Sequence, residues 1–412
     1  MSENRLSPYL ALQNAEFRFF LAMRLCVTLA VQMQAVIVGW QIYELTQKDT
    51  LYLGLIGLTE AVPSILIALY AGHLVDMYSR KKILQKVFYV LVFASACLWL
   101  LSWQIVQVWI GKPIFPIFGV IFLIGLARGF VSPAYFAFLT QVVSQKELQN
   151  AIAWNSTNWQ IGMVIGPALG GLVYAFLGVQ MAYLLQTLLF VFALIFLGMI
   201  AHKPAPPKPE VIDLRERMWS GVQFVFSQPI ILGAISLDLF AVLFGGAVAI
   251  LPAFASDVLS VGAEGLGFLR SAPAVGSVVM AIALAYYPVR KHAGKRLLLA
   301  VAGFGISIIA FALSTNFWLS LLCLFLSGAF DSVSVIIRSN LLQTHTPEAM
   351  KGRVSAVNSI FISSSNEIGA FESGVAAKLL GLVPSVIFGG VMTLVVVIII
   401  AWKVPQLRNL DL

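Results

Sequence analysis

The stretch Gly72-His-Leu-Val-Asp76-Met-Tyr-Ser-Arg80-Lys81-Lys82 connects two long apolar segments. Three consecutive basic residues end it, and a run of this kind stays at the cytoplasmic surface of a membrane. Gly72 allows two helices to approach closely, and Asp76 can face a helix N-terminus or a basic partner. A generic basic loop explains only the three basic residues. The whole pattern predicts a tight turn between two membrane-spanning helices.

The composition requires lipid around most of the surface. Of the 412 residues, 11% are charged and 60% are apolar, and the mean hydropathy is +0.92. An ordinary soluble domain carries about 25% charged residues. Only helices and closed barrels satisfy the backbone in lipid, and the unbroken apolar runs at 117–126 and 393–400 differ from the alternating pattern of barrel strands. We expect an all-α polytopic membrane protein.

Segments that could cross a bilayer recur along the whole chain. A crossing requires about 20 mostly apolar residues. Twelve segments are assigned, two of them by length and position because polar residues interrupt the apolar run. The expected spans lie near residues 17–43, 52–75, 83–106, 114–138, 152–176, 181–201, 229–253, 265–287, 297–314, 317–341, 355–379 and 382–402.

The basic residues are distributed asymmetrically across the membrane. An even number of spans places both termini on the same side. Of the 26 Lys and Arg residues, three lie on the opposite side, namely Lys48, Lys112 and Lys378, and four lie inside spans, so 19 share the side of the termini. The positive-inside rule then places both termini in the cytoplasm. This arrangement explains the net charge of +8 without nucleic acid as a partner.

The longest polar stretch, residues 202–218, divides the chain near its midpoint. Its four prolines favour an extended linker, and Leu214 to Phe226 has the pattern of a short amphipathic surface helix. An ordinary long loop is the alternative. We expect an N-terminal six-helix half at 1–201, a cytoplasmic linker with a short helix at 202–228, and a C-terminal six-helix half at 229–412.

The two halves resemble each other when the sequence is shifted by 203 residues. Ala153-Trp-Asn-Ser156 then aligns with Ala356-Val-Asn-Ser359. Four glycines also align, namely Gly125, Gly166, Gly171 and Gly178 with Gly328, Gly369, Gly374 and Gly381. The set aligns without a gap, which indicates two related halves, an arrangement known among membrane transport proteins.

The loop from Gly72 to Lys82 resembles the loop motif of the major facilitator superfamily, commonly written G-x-L-a-D-r-x-G-R-K. Ser79 stands where a glycine is frequent. The resemblance implies the major facilitator fold, with twelve transmembrane helices in two pseudo-symmetric six-helix halves. It also assigns a gating loop to Gly72, Asp76, Arg80 and Lys81.

The fifth span contains a second motif, Gly162-Met-Val-Ile-Gly166-Pro167-Ala-Leu-Gly170-Gly171. Glycines at i, i+4 and i+8 form one smooth helical face, and the proline bends or loosens the helix. The motif is similar to G-x-x-x-G-P-x-x-G-G, which is associated with exporters of the same superfamily. Close packing without a directional meaning is the alternative.

Further stretches at 43–46, 127–134, 221–229 and 342–353 resemble one bacterial branch of the superfamily. That branch contains the enterobactin exporter and related secretion and drug-efflux proteins, and the resemblance covers nearly the whole chain. It implies a location in the bacterial inner membrane and proton-coupled export by an antiporter. The substrates of the branch include siderophores, macrolide-like drugs and amphiphiles.

Several ionisable residues lie inside the expected spans, where a charge near the bilayer centre costs at least about 2.5 kcal/mol. They are Arg24, Glu60, Arg128, Asp238, Arg270, Asp331, Arg338, Glu367 and Glu372. A carboxylate removed from water binds a proton more readily, so these residues are candidates for proton coupling. The candidates for proton coupling or substrate binding are Glu60, Arg128, Asp238, Asp331, Arg338, Glu367 and Glu372. A structural hydrogen-bonding role is the alternative for each.

Two of these arginines have more than one expected contact. The repeat matches Arg128 with Asp331, so the two could pair across a cavity, or each could pair within its own half. Asp331 and Arg338 share one helical face. Arg338 lies nearer the cytoplasm and is expected either to extend to the surface or to bind a helix end.

Three functions are compatible with this pattern. The first is a secondary active transporter that works by alternating access and exports a small amphiphilic molecule, siderophore or drug-like, with protons as the coupling ion. The second keeps the fold but carries a lysophospholipid or a metal ion. The third is a membrane receptor or scaffold that transports nothing.

No motif for enzymatic chemistry is visible in the sequence, since a nucleophile elbow, a phosphate loop and zinc-ligand spacing are all missing. We therefore expect no enzyme activity and no cofactor. The four histidines lie in or beside expected cytoplasmic loops, so we expect no metal site. The expected partners are a small-molecule substrate, protons and the lipid bilayer, and the chain is expected to be a monomer.

Overall fold

Every regular element is helical among residues 9–201, 214–287, 292–408 and 410, which are the residues that this computed structural model describes. The predicted all-α architecture is therefore confirmed. The α-helices are α1 (Ala15–Leu45), α2 (Thr50–Met77), α3 (Arg80–Leu101), α4 (Gln104–Ile110), α5 (Ile114–Val142), α6 (Leu148–Met199), α7 (Leu214–Ser227), α8 (Pro229–Gly245), α9 (Leu251–Ala253), α10 (Ala263–Tyr286), α11 (Ala293–Leu313), α12 (Phe317–His345), α13 (Lys351–Leu380), α14 (Leu382–Lys403) and α15 (Pro405–Arg408). A π-helical segment, Phe254–Val258, follows α9.

Within the described residues, ten helical segments are long and apolar enough to cross a bilayer, whereas twelve were expected. Two local features account for the difference. One is α6, which contains two of the expected spans. The other is α13, which covers the expected span 355–379 but carries too many polar and charged residues to count among the ten. The number of crossings thus depends on how these two helices are counted.

The helix α6 extends over 52 residues, Leu148–Met199. At 1.5 Å per residue, a straight helix of that length would measure about 78 Å, against about 30 Å of hydrocarbon in a bilayer. Gly178 interrupts it with φ 83° and ψ 170°. That conformation is accessible at low cost to glycine. The segment therefore consists of two helices joined at Gly178.

The repeat aligns Gly178 with Gly381, which has nearly the same backbone conformation, φ 91° and ψ 160°. Gly381 lies between α13 and α14, just as Gly178 lies between the two parts of α6. The two halves that are similar in sequence therefore also share this backbone conformation between consecutive helices.

The chain divides into two compact units. The first consists of Met1–Gln41 and Thr59–Glu210, and the second consists of Ile42–Leu58 and Val211–Leu412. The segment Ile42–Leu58, which contains the end of α1 and the start of α2, therefore packs with the C-terminal part of the chain.

The second unit has a continuous apolar core. The helix α12 packs on α10 and α11, and α8 packs on α13 and α14. Ile235, Leu297, Ile337, Val354 and Val396, one from each of five helices, are at most 8% exposed in this core. In the first unit, α3 packs on both α5 and α6.

Glycines permit the closest helix contacts. A methyl group added to Gly125 of α5 would overlap the carbonyl oxygen of Glu60 in α2. The repeat-related Gly328 of α12 lies in the same way against the carbonyl oxygen of Pro273 in α10. Lipid offers helices little hydrophobic drive to associate, so close packing at small residues contributes much of the attraction.

Residues 202–213 of the expected linker lie outside the described residues. The amphipathic helix predicted after them is present as α7. Its Val225 is fully buried, whereas Trp219 and Phe226 are 62% and 58% exposed. Gly221 packs against the backbone of Arg353 in α13, whose guanidinium donates to Ser220 Oγ over 2.9 Å. One face of α7 is thus fixed to the second unit.

Candidate functional site

An intramembrane ion pair joins α2 and α5 in the first unit. The carboxylate of Glu60 pairs with Nη1 of Arg128, and their side chains are 17% and 38% exposed. A methyl group at Gly125 would stand 2.8 Å from Pro63 Cγ, so glycine is what lets α5 approach α2 this closely. Of the two contacts expected for Arg128, the structure shows pairing within its own unit.

A second ion pair lies in the second unit. Asp238 of α8 pairs with Nη1 of Arg338 in α12, and their side chains are only 8% and 4% exposed. Arg338 was expected to extend to the surface or to bind a helix end. It is instead buried, because a carboxylate on the neighbouring helix compensates its charge. Removal of either partner would leave an uncompensated buried charge.

A small cavity adjoins this second pair. Asp238, Asp331, Ser334 and Phe304 contribute to its lining, and its volume of about 10 Å³ has room for about one water molecule. Asp331, Ser334 and Arg338 occupy one face of α12. The structure therefore brings Asp238, Asp331 and Ser334 to one cavity in the second unit, and Arg338 adjoins it through its ion pair with Asp238.

The other two acidic candidates lie on α13. A methyl group on Gly57 of α2 would stand 3.8 Å from Glu367 Oε2, which places that carboxylate beside the start of α2. Glu372 follows five residues later and is half-buried. Neither residue is among the described residues that line the cavity at Asp331.

The basic residues of the predicted gating loop bind backbone carbonyl oxygens of α5 and of the end of α6 in the first unit. Arg80 Nη1 donates to Ala137 O over 2.9 Å. Lys81 is only 8% exposed, and its Nζ donates to the carbonyl oxygens of Gly198 and Ile200 at the end of α6. A cation at a helix C-terminus is favourable because it meets the negative end of the helix dipole. Gly72 and Asp76 lie in the last turns of α2, and the surroundings of their side chains fall outside the described part of the structure.

The glycine face of the fifth span packs on α1. A methyl group would stand 2.5 Å from Thr28 Cγ2 if added to Gly162, 2.5 Å from Gln32 Cβ if added to Gly166, and 2.9 Å from Met33 Cα if added to Gly170. Pro167 and Gly171 are buried in the same helix. All three glycines are therefore needed for the close contact between α6 and α1.

A polar cluster that the sequence analysis missed joins the segment Ile42–Leu58 to the rest of the second unit. Asp257, in the π-helical segment, accepts from Tyr43 Oη and from Lys48 Nζ, both over 2.7 Å. Lys378 of α13 donates to Asp49 Oδ2 over 2.6 Å. Lys48 and Lys378 are two of the three basic residues assigned to the side opposite the termini. Basic residues are scarce on that side, and this scarcity could have suggested that each of them has a specific acidic partner.

Asp49 lies between α1 and α2, outside the membrane-spanning segments. Burial acts to raise the pKa of its carboxyl, but the hydrogen bonds from Lys378 and from Leu51 N–H outweigh burial and hold the pKa below its ordinary value. The carboxylate therefore stays ionised, and stays paired, at neutral pH.

Matches to known families and proteins agree with the helical membrane architecture described above. The family model described as "Transmembrane secretion effector" matches residues 6–412. The enterobactin exporter EntS of Escherichia coli (strain K12) is 28% identical to the chain over 293 residues, or 70% of each protein. The enterobactin exporter EntS of Shigella boydii serotype 18 matches with the same identity and coverage.

Solved structures share the fold over nearly the whole length. The D-xylose-proton symporter has a TM-score of 0.74 at 11% identity, over 98% of this chain and 100% of that one. The POT family transporter PepTSo has a TM-score of 0.71 at 12% identity, over 97% and 99%. At such low identity, these matches identify the fold alone.

Proposed function

The chain belongs to the transmembrane secretion effector family of the major facilitator superfamily, and we propose that it is a secondary active exporter that works by alternating access. Membrane transport follows from the family and the fold. The proposed cargo is a small amphiphilic molecule of siderophore or drug-like type, and the proposed coupling ion is the proton. The proposed location is the bacterial inner membrane, with both termini in the cytoplasm.

Support for export comes from the relatives and from the glycine face. The curated relatives that cover 70% of the chain are exporters of enterobactin. The stretch Gly162–Gly171, which is similar to an exporter motif, forms the close contact between α6 and α1. We infer that the cargo leaves the cytoplasm, and that it belongs to the siderophore class or to another class of amphiphile.

Support for proton coupling comes from the cavity beside Asp238 and Arg338. With both carboxylates ionised and the guanidinium charged, the cluster of Asp238, Asp331 and Arg338 has a net charge of minus one. A single proton neutralises it, and surroundings of low polarity favour the neutral state. We propose that Asp331 takes up this proton, because the ion pair with Arg338 already holds Asp238 in its charged form.

The ion pair of Glu60 with Arg128 is proposed as the matching element of the first unit. We propose further that Glu367 and Glu372 on α13 contact the substrate or assist proton movement, and that the loop at Gly72, Asp76, Arg80 and Lys81 gates the cytoplasmic side. We propose that the protein is a monomer, without enzymatic activity and without a cofactor.

Transport by purified protein in proteoliposomes with an imposed proton gradient tests this function. The panel contains siderophores, drug-like amphiphiles, lysophospholipids and divalent metal ions. Wild type should accumulate a siderophore or an amphiphile only when the gradient is present. Asp331→Asn should reduce gradient-driven accumulation to the level of empty liposomes, whereas Glu348→Gln, at a side chain that is 88% exposed, should behave as wild type.

Three results would contradict the proposal in different ways. Normal gradient-driven accumulation by Asp331→Asn would remove that residue from coupling. Transport confined to lysophospholipids or metal ions would replace the cargo but keep the transporter. No flux of any compound, together with no response to the gradient, would favour a receptor or scaffold.

A further inference from the structure

Arg24, in α1, differs from the other arginines inside the membrane. Arg128 and Arg338 are paired with Glu60 and Asp238, and Arg270 also has an interaction partner. Among the described residues, Arg24 has no acidic partner, and its Nε is buried without a hydrogen-bond partner. An intramembrane arginine is costly unless it faces a partner or a cavity. Its presence inside the membrane therefore calls for a ligand or for a structural role.

The described carboxylates of the first unit have other contacts. Glu60 pairs with Arg128. Glu16 Oε1 accepts from the N–H of Ala201 over 2.9 Å, and Glu147 Oε2 accepts from the N–H of Ser144 over 2.9 Å. Among the first-unit carboxylates whose side chains the structure describes, none is thus available to Arg24, and the side chain of Asp76 lies outside the described part.

An aromatic ring holds the guanidinium in place. Cζ of Arg24 lies 5.2 Å from the centroid of the Tyr135 ring, which is a cation–π distance. Tyr135 is 6% exposed, and its hydroxyl is buried without a hydrogen-bond partner in the described part of the structure. The rings of Phe20 and Phe88 lie 6.2 and 6.3 Å from the Tyr135 ring. Nε of Arg24 and the hydroxyl of Tyr135 are therefore two unsatisfied polar groups that belong to one cation–π pair, and two further aromatic rings contact the tyrosine.

These two groups lie at a similar depth. Arg24 is nine residues after the start of α1, and Tyr135 is seven residues before the end of α5, which correspond to about 14 and 11 Å along the helices. In the proposed orientation both ends face the cytoplasm. A molecule that enters from the cytoplasm would reach this point before it crosses the membrane.

We propose that Arg24 and Tyr135 form a binding subsite for a carboxylate or phenolate oxygen, so that the exported molecule is an amphiphilic organic anion. This inference rests on the proposed transport function and names the substrate class. An anionic oxygen would satisfy Nε of Arg24 and the hydroxyl of Tyr135 together, and charge-assisted bonds of this type are strong. The cation–π contact fixes the guanidinium before the anion arrives.

The first test compares melting temperatures of purified protein without substrate. Arg24→Met should melt at the same temperature as wild type or higher, because it removes a charge that lacks a partner. Arg128→Met and Arg338→Met are the matched controls and should melt lower, because each leaves a carboxylate unpaired. A fall for Arg24→Met as large as those of the controls would show a structural role and overturn the proposal.

The second test measures charge selectivity in proteoliposomes. Each acidic compound of the transport panel is compared with its methyl ester or methyl ether. Wild type should prefer the anion by about tenfold or more, the gain expected from charge-assisted hydrogen bonds. Arg24→Gln and Tyr135→Phe should lower this preference, Arg24→Gln to about one, and Arg24→Lys should keep part of it. Transport of the neutral analogues should fall less than transport of the anions in each variant, because the neutral compounds lack the charge that Arg24 recognises.

The outcomes separate this subsite from the transport function. An unchanged preference in Arg24→Gln, or a wild-type preference for the neutral analogue, would overturn the subsite while transport stands. If no compound moves in wild type, the transport function fails, and the melting comparison still decides whether Arg24 has a structural partner.

Discussion

Gly125 and Gly129 flank Arg128 on α5, and both lie where a side chain would strike α2. A methyl group at Gly129 would stand 2.8 Å from Ser64 O, and one at Gly125 would overlap Glu60 O. The ion pair of Glu60 with Arg128 therefore depends on two residues that have no side chain. The charged residues are visible in the sequence, but only the packing shows which of them can meet.

We predict that Gly125→Ala destabilises the protein by about 1–3 kcal/mol, because the added methyl forces α5 away from α2. Gly119→Ala is the matched control on the same helix, since nothing lies within 4 Å of a methyl group there. It should leave stability unchanged or raise it slightly, as alanine favours helix more than glycine does. Thermal unfolding in detergent measures both, and equal effects would contradict the packing argument.

At the scale of the helices, the segment Ile42–Leu58 packs on the rest of the second unit through both small residues and ion pairs. Gly54 and Gly374 are in direct backbone contact, since a methyl group on Gly54 would stand 3.1 Å from Gly374 Cα. The ion pairs Lys48–Asp257 and Lys378–Asp49 are partly exposed, so each contributes at most about 1 kcal/mol. The glycine contact allows the close approach of the two helices, and the ion pairs favour this one alignment of the segment against α13.

The contribution of Asp49 to stability should be independent of pH near neutrality. Because the pKa of Asp49 is held below its ordinary value of 3.8, its stabilising effect is complete above that value and is lost as the pH falls through the lower, folded value. The difference in melting temperature between wild type and Asp49→Asn should therefore stay constant from about pH 7 to about pH 5 and narrow near pH 3.

Glu348→Gln serves as the control for that pH series, since the pair of Glu348 with the neighbouring Lys351 joins two residues of the same surface segment, with Glu348 88% exposed. A difference for Asp49→Asn that changes between about pH 5 and pH 7 would contradict the pKa argument. Such a change would make the Asp49–Lys378 pair a proton-sensitive contact in the working range.

For the whole molecule, the distribution of basic residues predicts the orientation in the membrane. Lys82, after the loop at Gly72, is on the predicted cytoplasmic side, and Lys112 is on the other. Both side chains are exposed. The native cysteines at 26, 97 and 323 lie within helices, so they can be replaced by serine to give a clean background.

In that background, a membrane-impermeant maleimide should label Lys112→Cys in intact spheroplasts. It should label Lys82→Cys only after the membrane is permeabilised, because the positive-inside rule retains this loop in the cytoplasm. The reverse labelling pattern would invert the topology and, with it, the proposed direction of transport.

Much of the candidate site was visible as single residues but not as an arrangement. The rarity of charges inside apolar spans singled out Glu60, Arg128, Asp238 and Asp331. Their partners could not be read from the sequence, because sequence spacing gives positions along one helix and not the contacts between helices. The cluster at Tyr43, Lys48, Asp49, Asp257 and Lys378 was missed for the same reason, since its members are far apart in the chain and look like ordinary loop charges.

The sequence by itself determined that this chain is an all-α membrane protein, because the composition requires lipid and the unbroken apolar runs differ from barrel strands. The resemblance of the loop at Gly72–Lys82 added the major facilitator type. It also determined the repeat, since four glycines align without a gap when the sequence is shifted by 203 residues. Only the tertiary structure decided which charges are compensated. Glu60 meets Arg128 because Gly125 and Gly129 let α5 approach α2 closely. Asp238 meets Arg338 because α8 packs on α12, and Arg24 meets the ring of Tyr135 because α1 and α5 bring the two together.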